Sequence, residues 1–248
     1  MPPDLTPTRS NSPETLKLQV LDAAHHFHPQ TNNMRLQQRG ARVITHGKGI
    51  YVWDSEGRRM IDGMAGLWCL QLGYGREELA QAASSAMLDL PFYNTFFQTT
   101  HPYVARLAAR IAELTPPGLD KVLFHTSGSE STDAAAKFAR AYWRMQKQSG
   151  RRIILSRELG YHGSTMAAAS MTGIPYLHKH FGLPLPGFAY APTAYSFRDG
   201  KGMSPEAFGA LAAKRLEEKI VAIGPKKIAA FIAEPIQGAG GLIVPPPG

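Results

Sequence analysis

Cysteine is almost absent from this sequence of 248 residues, which contains only Cys69. One cysteine cannot close an internal disulfide, so a disulfide-stapled secreted scaffold is excluded and a cytoplasmic location is expected. Long hydrophobic runs are missing too. The most apolar stretch, residues 228–244, is interrupted by Glu234, Pro235 and several glycines and falls short of the ~20 apolar residues of a membrane-spanning helix. The first sixteen residues have no apolar segment, so no secretory signal is expected.

Motifs of several common enzyme classes are also missing. The sequence has no Gly-x-x-x-x-Gly-Lys run, so a P-loop nucleoside triphosphatase is not indicated. It has no Gly-x-Ser-x-Gly elbow, which argues against an α/β-hydrolase. With 44% apolar residues, the composition is that of an ordinary globular protein that can bury a core.

The net charge of +8 raises nucleic acid as a partner, but the arrangement of the charges argues against it. Four basic residues recur on one predicted helical face, and acidic Glu130 and Asp133 lie on or beside that face. The four are Lys137, Arg140, Arg144 and Lys147. This mixture is typical of a solvated helix face, and no basic run is interleaved with stacking aromatics. We expect no nucleic-acid partner and no membrane partner.

Three histidines close to the amino terminus, His25, His26 and His28, raise the question of a metal site. His25 and His28 would share a helical face, but no cysteine or carboxylate is spaced to complete a tetrahedral ligand set. The sequence therefore predicts no metal site.

The first part of the chain predicts helices and a small antiparallel sheet. Ser12 followed by Pro13 is a helix start, and a helix is expected over Pro13–His25. Short β-rich runs separated by glycine-containing turns predict an antiparallel meander between Arg42 and Asp62. Apolar residues at helical spacing predict two further helices, over Arg76–Leu90 and Pro102–Leu114.

The rest of the chain alternates between strands and helices. Strands are predicted at Lys121–His125, Arg152–Ser156 and Lys227–Ala233. Helices are predicted at Glu130–Gln148, Ser164–Thr172 and Ser204–Ile223, and Gly173–Gly202 is predicted to be a long loop. Strands that alternate with long helices imply parallel pairing, so the fold class is α/β with an open, mostly parallel sheet.

Ligands of an open parallel sheet bind beyond the carboxyl ends of its strands, and three clusters lie there. Thr126–Ser129 leads from a strand into a helix start, where free amides and the positive end of the dipole can hold a phosphate. Tyr161–Gly163 presents an aromatic ring and an imidazole, and Glu234 follows an apolar strand. Two simpler interpretations stay open. In the first, Ser127 and Ser129 are only helix caps; in the second, Tyr161 and His162 lie in a hydrogen-bonded loop on the surface.

Seven segments in order resemble the class III pyridoxal-phosphate aminotransferases, especially the amine:pyruvate or ω-transaminases. They are His25–Pro29, Gly63–Cys69, Gly73–Arg76, Leu90–Phe97, Ser127–Glu130, Tyr161–Thr165 and Glu234–Gly241. The resemblance implies the fold-type I architecture, with helices on both faces of a large-domain sheet. It further implies an amino-terminal helix and meander in residues 1–75, as part of a small domain, and a large cofactor domain in residues 76–248.

The resemblance also implies roles for individual residues. Ser127, Gly128 and Ser129 would bind the phosphate of pyridoxal 5′-phosphate. Tyr161 would stack on the pyridine ring with His162 beside it, and Glu234 would orient the aspartate that pairs with the ring nitrogen. Trp68 and Tyr161 would line the substrate pocket.

The sequence departs from the usual family pattern at two places. Ser131-Thr132 stand where Ala-Asn is common, and Gln30 stands where a bulky apolar residue is frequent. Ala239 stands where the ornithine, acetylornithine and 4-aminobutyrate enzymes carry a glutamate, which favours the amine:pyruvate branch. Putrescine-like diamines, β-alanine and arylamines all stay open as amino donors, with a keto acid such as pyruvate as acceptor.

The family's Schiff-base lysine is not recognisable in this sequence. The chain ends at Pro245–Gly248, before the segment in which the family places Asp-Glu-Val and the lysine, so we expect an incomplete chain that is inactive alone. The alternatives are a non-catalytic fragment or pseudo-enzyme, and a different reaction on the same fold, such as an aminomutase, racemase or decarboxylase. When complete, the enzyme is expected to be a homodimer, with Phe92–Phe97 at its interface.

Overall fold

The computed structural model describes residues 11–247, so most of the segment in which no secretory signal is expected lies outside the described residues. Helices span Pro13–His25 (α1), Asn33–Arg39 (α2), Ala65–Trp68 (α3), Glu77–Asp89 (α4), Pro102–Leu114 (α5), Gly128–Met145 (α6), Met166–Met171 (α7), Ser196–Asp199 (α8) and Pro205–Ile223 (α9). Strands span Ile44–Lys48 (β1), Tyr51–Asp54 (β2), Arg59–Ile61 (β3), Ile153–Arg157 (β4), Phe188–Ala191 (β5) and Ile228–Phe231 (β6). Two 3₁₀ turns cover Pro175–Leu177 and Pro225–Lys227.

The described residues form two compact units that divide between Arg106 and Leu107. In the first unit, α1 begins as predicted: the Ser12 side chain caps the helix by accepting a hydrogen bond from the amide of Thr15. The predicted meander is confirmed, because β1, β2 and β3 pair in that order and are antiparallel.

The amino end of α1 is attached to the turn between β2 and β3. The amide and the hydroxyl of Ser12 both donate to Glu56 Oε1, at 3.0 and 2.9 Å. Thr15, which is buried, also donates to the same carboxylate oxygen. These hydrogen bonds hold the pKa of Glu56 below its usual value, chiefly through the Thr15 hydroxyl. The helix is therefore fixed to the meander at its first turn.

The second unit contains a parallel sheet with the order β5-β4-β6, which confirms the predicted sheet type. β4 lies in the middle, and its Ile154 and Leu155 are almost completely buried. Burying each of these side chains contributes about 1.5–3 kcal/mol of hydrophobic free energy. Ala136 of α6 and Ala168 of α7 pack against Ile154 in the core, and such small side chains allow the helices to lie close to the sheet.

Two predictions about the second unit are wrong. Residues 121–125 form no strand, because no strand among residues 11–247 pairs with them, and Leu123 is 60% exposed. The region Gly173–Gly202 is not a long loop: it contains β5, α8 and a 3₁₀ turn. β5 is only four residues long and has proline on both sides, and its parallel pairing with β4 establishes it as a strand.

The remaining predicted elements of this unit are present with shifted ends. α6 begins two residues earlier than expected and ends at Met145, and α7 is limited to Met166–Met171. α9 and β6 lie within the predicted ranges. None of the helices in residues 11–247 has both the length and the apolar character needed to cross a bilayer.

Candidate active site

The start of α6 is closed by a capping box. Ser127 Oγ accepts a hydrogen bond from the amide of Glu130 at 3.1 Å, and Glu130 Oε2 accepts one from the amide of Ser127 at 3.0 Å. The amide and hydroxyl of Thr126 donate to the same Glu130 oxygen. These bonds lower the pKa of Glu130, with the Thr126 hydroxyl as the largest cause. The turn before the helix is therefore rigidly held.

Two amides at this helix start are left free. Within residues 11–247, no hydrogen-bond acceptor reaches the backbone N–H groups of Gly128 and Ser129. A Cβ at Gly128 would meet nothing within 4 Å, so the side-chain position of Gly128 borders open space. Helix α6 is 18 residues long, and its dipole places a partial positive charge at this end. The arrangement suits an anion such as a phosphate group.

The loop after β4 packs directly on the start of α6. The amide of Ser164 donates to Ser129 Oγ at 3.0 Å, so the Ser129 hydroxyl proton stays available for a ligand. Gly163 has φ +132°, and a Cβ there would lie 2.6 Å from Ser129 Oγ. Glycine is therefore required, both for the backbone conformation and for the close approach.

Glu234 connects this loop to the segment that follows β6. Its Oε1 accepts a hydrogen bond from the amide of Tyr161 at 2.8 Å, and its Oε2 accepts one from the amide of Gly238 at 3.0 Å. Both oxygens of this carboxylate thus have a backbone amide as partner. Glu234 therefore fixes the backbone on which the Tyr161 ring is carried.

His162 lies next to Tyr161 and is half-buried. Its amide donates to Thr172 Oγ1 at 2.9 Å, which fixes the backbone. Burial lowers the pKa of its imidazole, and the nearby charge of Glu234 opposes that shift only in part. Its Nε2 is buried and has no hydrogen-bond partner among the described residues. The site therefore contains an imidazole whose Nε2 is an unused polar atom.

Gln237 is a site residue that the sequence analysis missed. Its side chain is almost completely buried, its Nε2 donates to the carbonyl of Glu158 at 2.8 Å, and its Oε1 accepts from the Thr193 hydroxyl. Glu158 follows β4 and Thr193 follows β5, so one amide joins segments at the carboxyl ends of all three strands. A single glutamine in a glycine-rich segment carries no sequence signal that distinguishes it from a surface residue.

Comparison with known proteins identifies the family. The family model of class-III aminotransferases matches residues 34–248. The chain belongs to the class III aminotransferase family. A putrescine–pyruvate aminotransferase of Pseudomonas aeruginosa is 48% identical over 94% of this chain and 51% of the relative. The chain thus spans about half the length of the curated relatives it matches.

Solved structures of class III aminotransferases share the fold. An (S)-enantioselective ω-transaminase from Thermomicrobium roseum superposes with a TM-score of 0.90 at 46% identity, covering 94% of this chain and 52% of that one. The ω-transaminase of Pseudomonas jessenii, solved in complex with PMP, gives 0.90 at 41% identity, covering 92% and 51%. The fold is therefore that of the fold-type I pyridoxal-phosphate enzymes, and the cofactor of the family is pyridoxal phosphate.

The residues of the second unit fit such a cofactor. Two free amides and the Ser129 hydroxyl supply donors for a phosphate, and the buried Nε2 of His162 is an unused polar atom beside Tyr161. Of the six predicted cofactor residues, Tyr161 and Glu234 are hydrogen-bonded to each other, and Ser129 binds the amide of Ser164 in the loop that carries Tyr161 and His162. Ser127 and Gly128 directly precede Ser129 at the start of α6. Trp68 belongs to the first unit, where it is half-exposed.

We expect Glu234→Gln to loosen the two backbone segments that Glu234 joins. An amide side chain can accept on one atom only, and its NH₂ group would face one of the two amide donors. Hydrogen–deuterium exchange should therefore become faster in the peptide containing Tyr161 or in the one containing Gly238.

Glu158→Gln is the matched control, since the Glu158 carboxylate is exposed and has no hydrogen-bond partner among the described residues. Exchange in both peptides should then be unchanged. Equal exchange rates in the Glu234→Gln and parent proteins would contradict the role of Glu234.

Proposed function

We propose that the chain forms the cofactor-binding part of a pyridoxal-phosphate-dependent transaminase. The reaction moves an amino group from a primary amine or an ω-amino acid to pyruvate or a similar keto acid. The observation that carries the proposal is the pair of free amides at the start of α6, with the Ser129 hydroxyl and the Tyr161–Ser164 loop packed against them. Membership of the class III family supports it.

Each cofactor residue has a physical role in this proposal. Ser127 fixes the turn, and the amides of Gly128 and Ser129 with the Ser129 hydroxyl hold the phosphate. Tyr161 covers the pyridine ring and His162 lies beside it, while Glu234 keeps the Tyr161 backbone in place. When bound, the cofactor supplies an electron sink for the amino-group chemistry. The aspartate that Glu234 would orient stays a prediction.

The amine:pyruvate reaction is favoured by one position and by one relative. Ala239 lies at the exposed tip of a loop closed by backbone pairing between Gln237 and Ile243, where it offers no charge. The Pseudomonas aeruginosa relative is named for putrescine and pyruvate. A diamine such as putrescine is therefore the first donor to assay, with Trp68 and Tyr161 as the residues proposed to line the pocket.

Ser129→Asp should weaken pyridoxal-phosphate binding by at least about tenfold, because it places a negative charge against the phosphate. The measurement is the dissociation constant of the cofactor, in the protein expressed from its whole reading frame. Ser131→Asp is the control: it adds the same charge at an exposed position two residues along the helix, where the side chain bonds only the Ser127 carbonyl. Equal constants for the Ser129→Asp and parent proteins would remove Ser129 from the phosphate site.

We further propose that no lysine within Met1–Gly248 links to the cofactor. Lys226 and Lys227 form the turn at the amino end of β6, and Glu234 lies beyond the opposite end of that strand. Met1–Gly248 should therefore show no amine:pyruvate turnover and no cofactor-labelled lysine after borohydride reduction and mass spectrometry. The product of the whole reading frame should show both.

The result also separates the alternatives. Pyruvate-dependent turnover with one stoichiometrically labelled lysine in Met1–Gly248 would contradict the proposal about the lysine. A whole reading frame that yields neither label nor turnover would favour the second candidate function, an inactive fragment or pseudo-enzyme.

We also propose that the active enzyme is a cytoplasmic homodimer. The aromatic segment Phe92–Phe97 supports an interface, because its Phe97 side chain is 92% exposed and most of its other rings are exposed too. Burial of these rings against a second copy would remove them from water. Sedimentation velocity should show a dimer for the active protein, and an active monomer would contradict this.

The single cysteine supports the proposed cytoplasmic location, because a protein with one cysteine has no internal disulfide to form. Cell fractionation tests this location.

A further inference from the structure

Three side chains with metal-ligating atoms converge at the carboxyl end of α1, far along the chain from the cofactor residues. Asp22 Oδ1 lies 3.0 Å from His26 Nδ1, and Asp22 Oδ2 lies 2.8 Å from His28 Nε2. One ligand atom of each residue lies within 4.8 Å of those of the other two. The sequence indicated no carboxylate spaced to complete a ligand set with His25 and His28, but Asp22, one turn before His26, lies beside His26 and His28.

The backbone holds the three residues in place. Asp22 is in the last turns of α1, and the amide of His26 caps the helix by donating to the Asp22 carbonyl. His28 lies beyond the helix, where Asn33 binds it from both sides: the His28 amide donates to Asn33 Oδ1 at 3.0 Å, and Asn33 Nδ2 donates to the His28 carbonyl at 3.1 Å. The ligand set is thus preorganised although its members come from a helix and a loop.

From this geometry we infer that Asp22, His26 and His28 form a binding site for a divalent transition metal of the Zn²⁺ type. Imidazole nitrogens and a carboxylate oxygen suit Zn²⁺ better than Mg²⁺ or Ca²⁺, which prefer oxygen ligands alone. Bond lengths of about 2.0–2.2 Å place tetrahedral ligand atoms roughly 3.3 Å apart, close to the separations of Asp22 from the two histidines.

A small cavity adjoins the three side chains. It has a volume of about 10 Å³ and is lined by Asp22, His26 and His28 among other residues. That volume admits about one water molecule. Three protein ligands and one water give the coordination of an open zinc site.

Binding exchanges protons for the metal without any other co-reactant. Each imidazole nitrogen that faces Asp22 is now hydrogen-bonded to the carboxylate. On binding, both nitrogens and one carboxylate oxygen donate lone pairs to Zn²⁺. A proton carried on either nitrogen moves to the other nitrogen of its ring or to solvent.

Equilibrium dialysis against Zn²⁺ tests the site in the protein expressed from its whole reading frame. All proteins carry Cys69→Ser, because Cys69 is an exposed thiol that can bind zinc by itself. We expect one Zn²⁺ per chain. Replacing a residue that only hydrogen-bonds to a metal ligand lowers metal affinity about 10–100-fold. Removing a ligand itself should cost no less, so Asp22→Asn and His26→Ala should each weaken Zn²⁺ binding by at least about tenfold.

His25→Ala is the matched control, since His25 ends α1 beside the cluster but is not a member of it. It should keep the parent affinity. Co²⁺ gives a second readout, as a visible absorption band whose strength reports tetrahedral coordination. His26 is largely exposed, so His26→Ala keeps the test decisive if Asp22→Asn unfolds the protein. No bound Zn²⁺ in the parent, or equal binding in the parent, Asp22→Asn and His26→Ala, would overturn the assignment.

Discussion

One buried amide holds together the strand ends on which the candidate active site is built. Gln237 donates to the carbonyl of Glu158 and accepts from the hydroxyl of Thr193, while its own backbone pairs with Ile243. An amide side chain suits this position because it carries a donor and an acceptor on one planar group. Removing it would leave the buried hydroxyl of Thr193 without its acceptor, at a cost of about 1–3 kcal/mol.

The loop after β4 shows how far that constraint extends. Gln237 fixes the loop at its first residue, and further hydrogen bonds hold most of its peptide groups as far as Ser164, whose amide binds Ser129 at the start of α6. The residues that bind this loop are Gly173, Glu234, Thr172 and Ser129. The loop thereby carries Tyr161 and His162 at fixed positions beside the free amides of α6. Side chains held by backbone hydrogen bonds in this way can contact a ligand without further rearrangement.

The sequence predicted those features whose signals are local. Helix α1, the meander and the parallel sheet follow from caps, turns and hydrophobic periodicity, and seven short motifs indicated the family. β5 was missed because it is only four residues long and lies between prolines, and its pairing with β4 is a long-range contact that the local sequence does not show. The strand predicted at Lys121–His125 was wrong because an apolar run becomes a strand only where a neighbouring strand pairs with it.

Long-range contacts explain the site residues that the sequence did not reveal. Gln237 binds Thr193 and Glu158, which lie 44 and 79 residues away along the chain. No local sequence pattern predicts contacts over such distances. Asp22 was overlooked for a different reason. The spacing of His25 and His28 was considered as a continuous helix, whereas α1 ends at His25 and the chain turns His28 back onto Asp22.

The central claim is that Gln237 organises the cofactor site without touching the cofactor. Its most direct test is the dissociation constant of pyridoxal phosphate for Gln237→Leu in the protein expressed from its whole reading frame, with Gln146→Leu as an exposed control. Leucine keeps most of the buried volume but removes both hydrogen bonds. The account predicts a folded protein that binds the cofactor roughly tenfold more weakly, in proportion to the cost of the lost hydrogen bonds. A folded Gln237→Leu protein with the parent dissociation constant would contradict it.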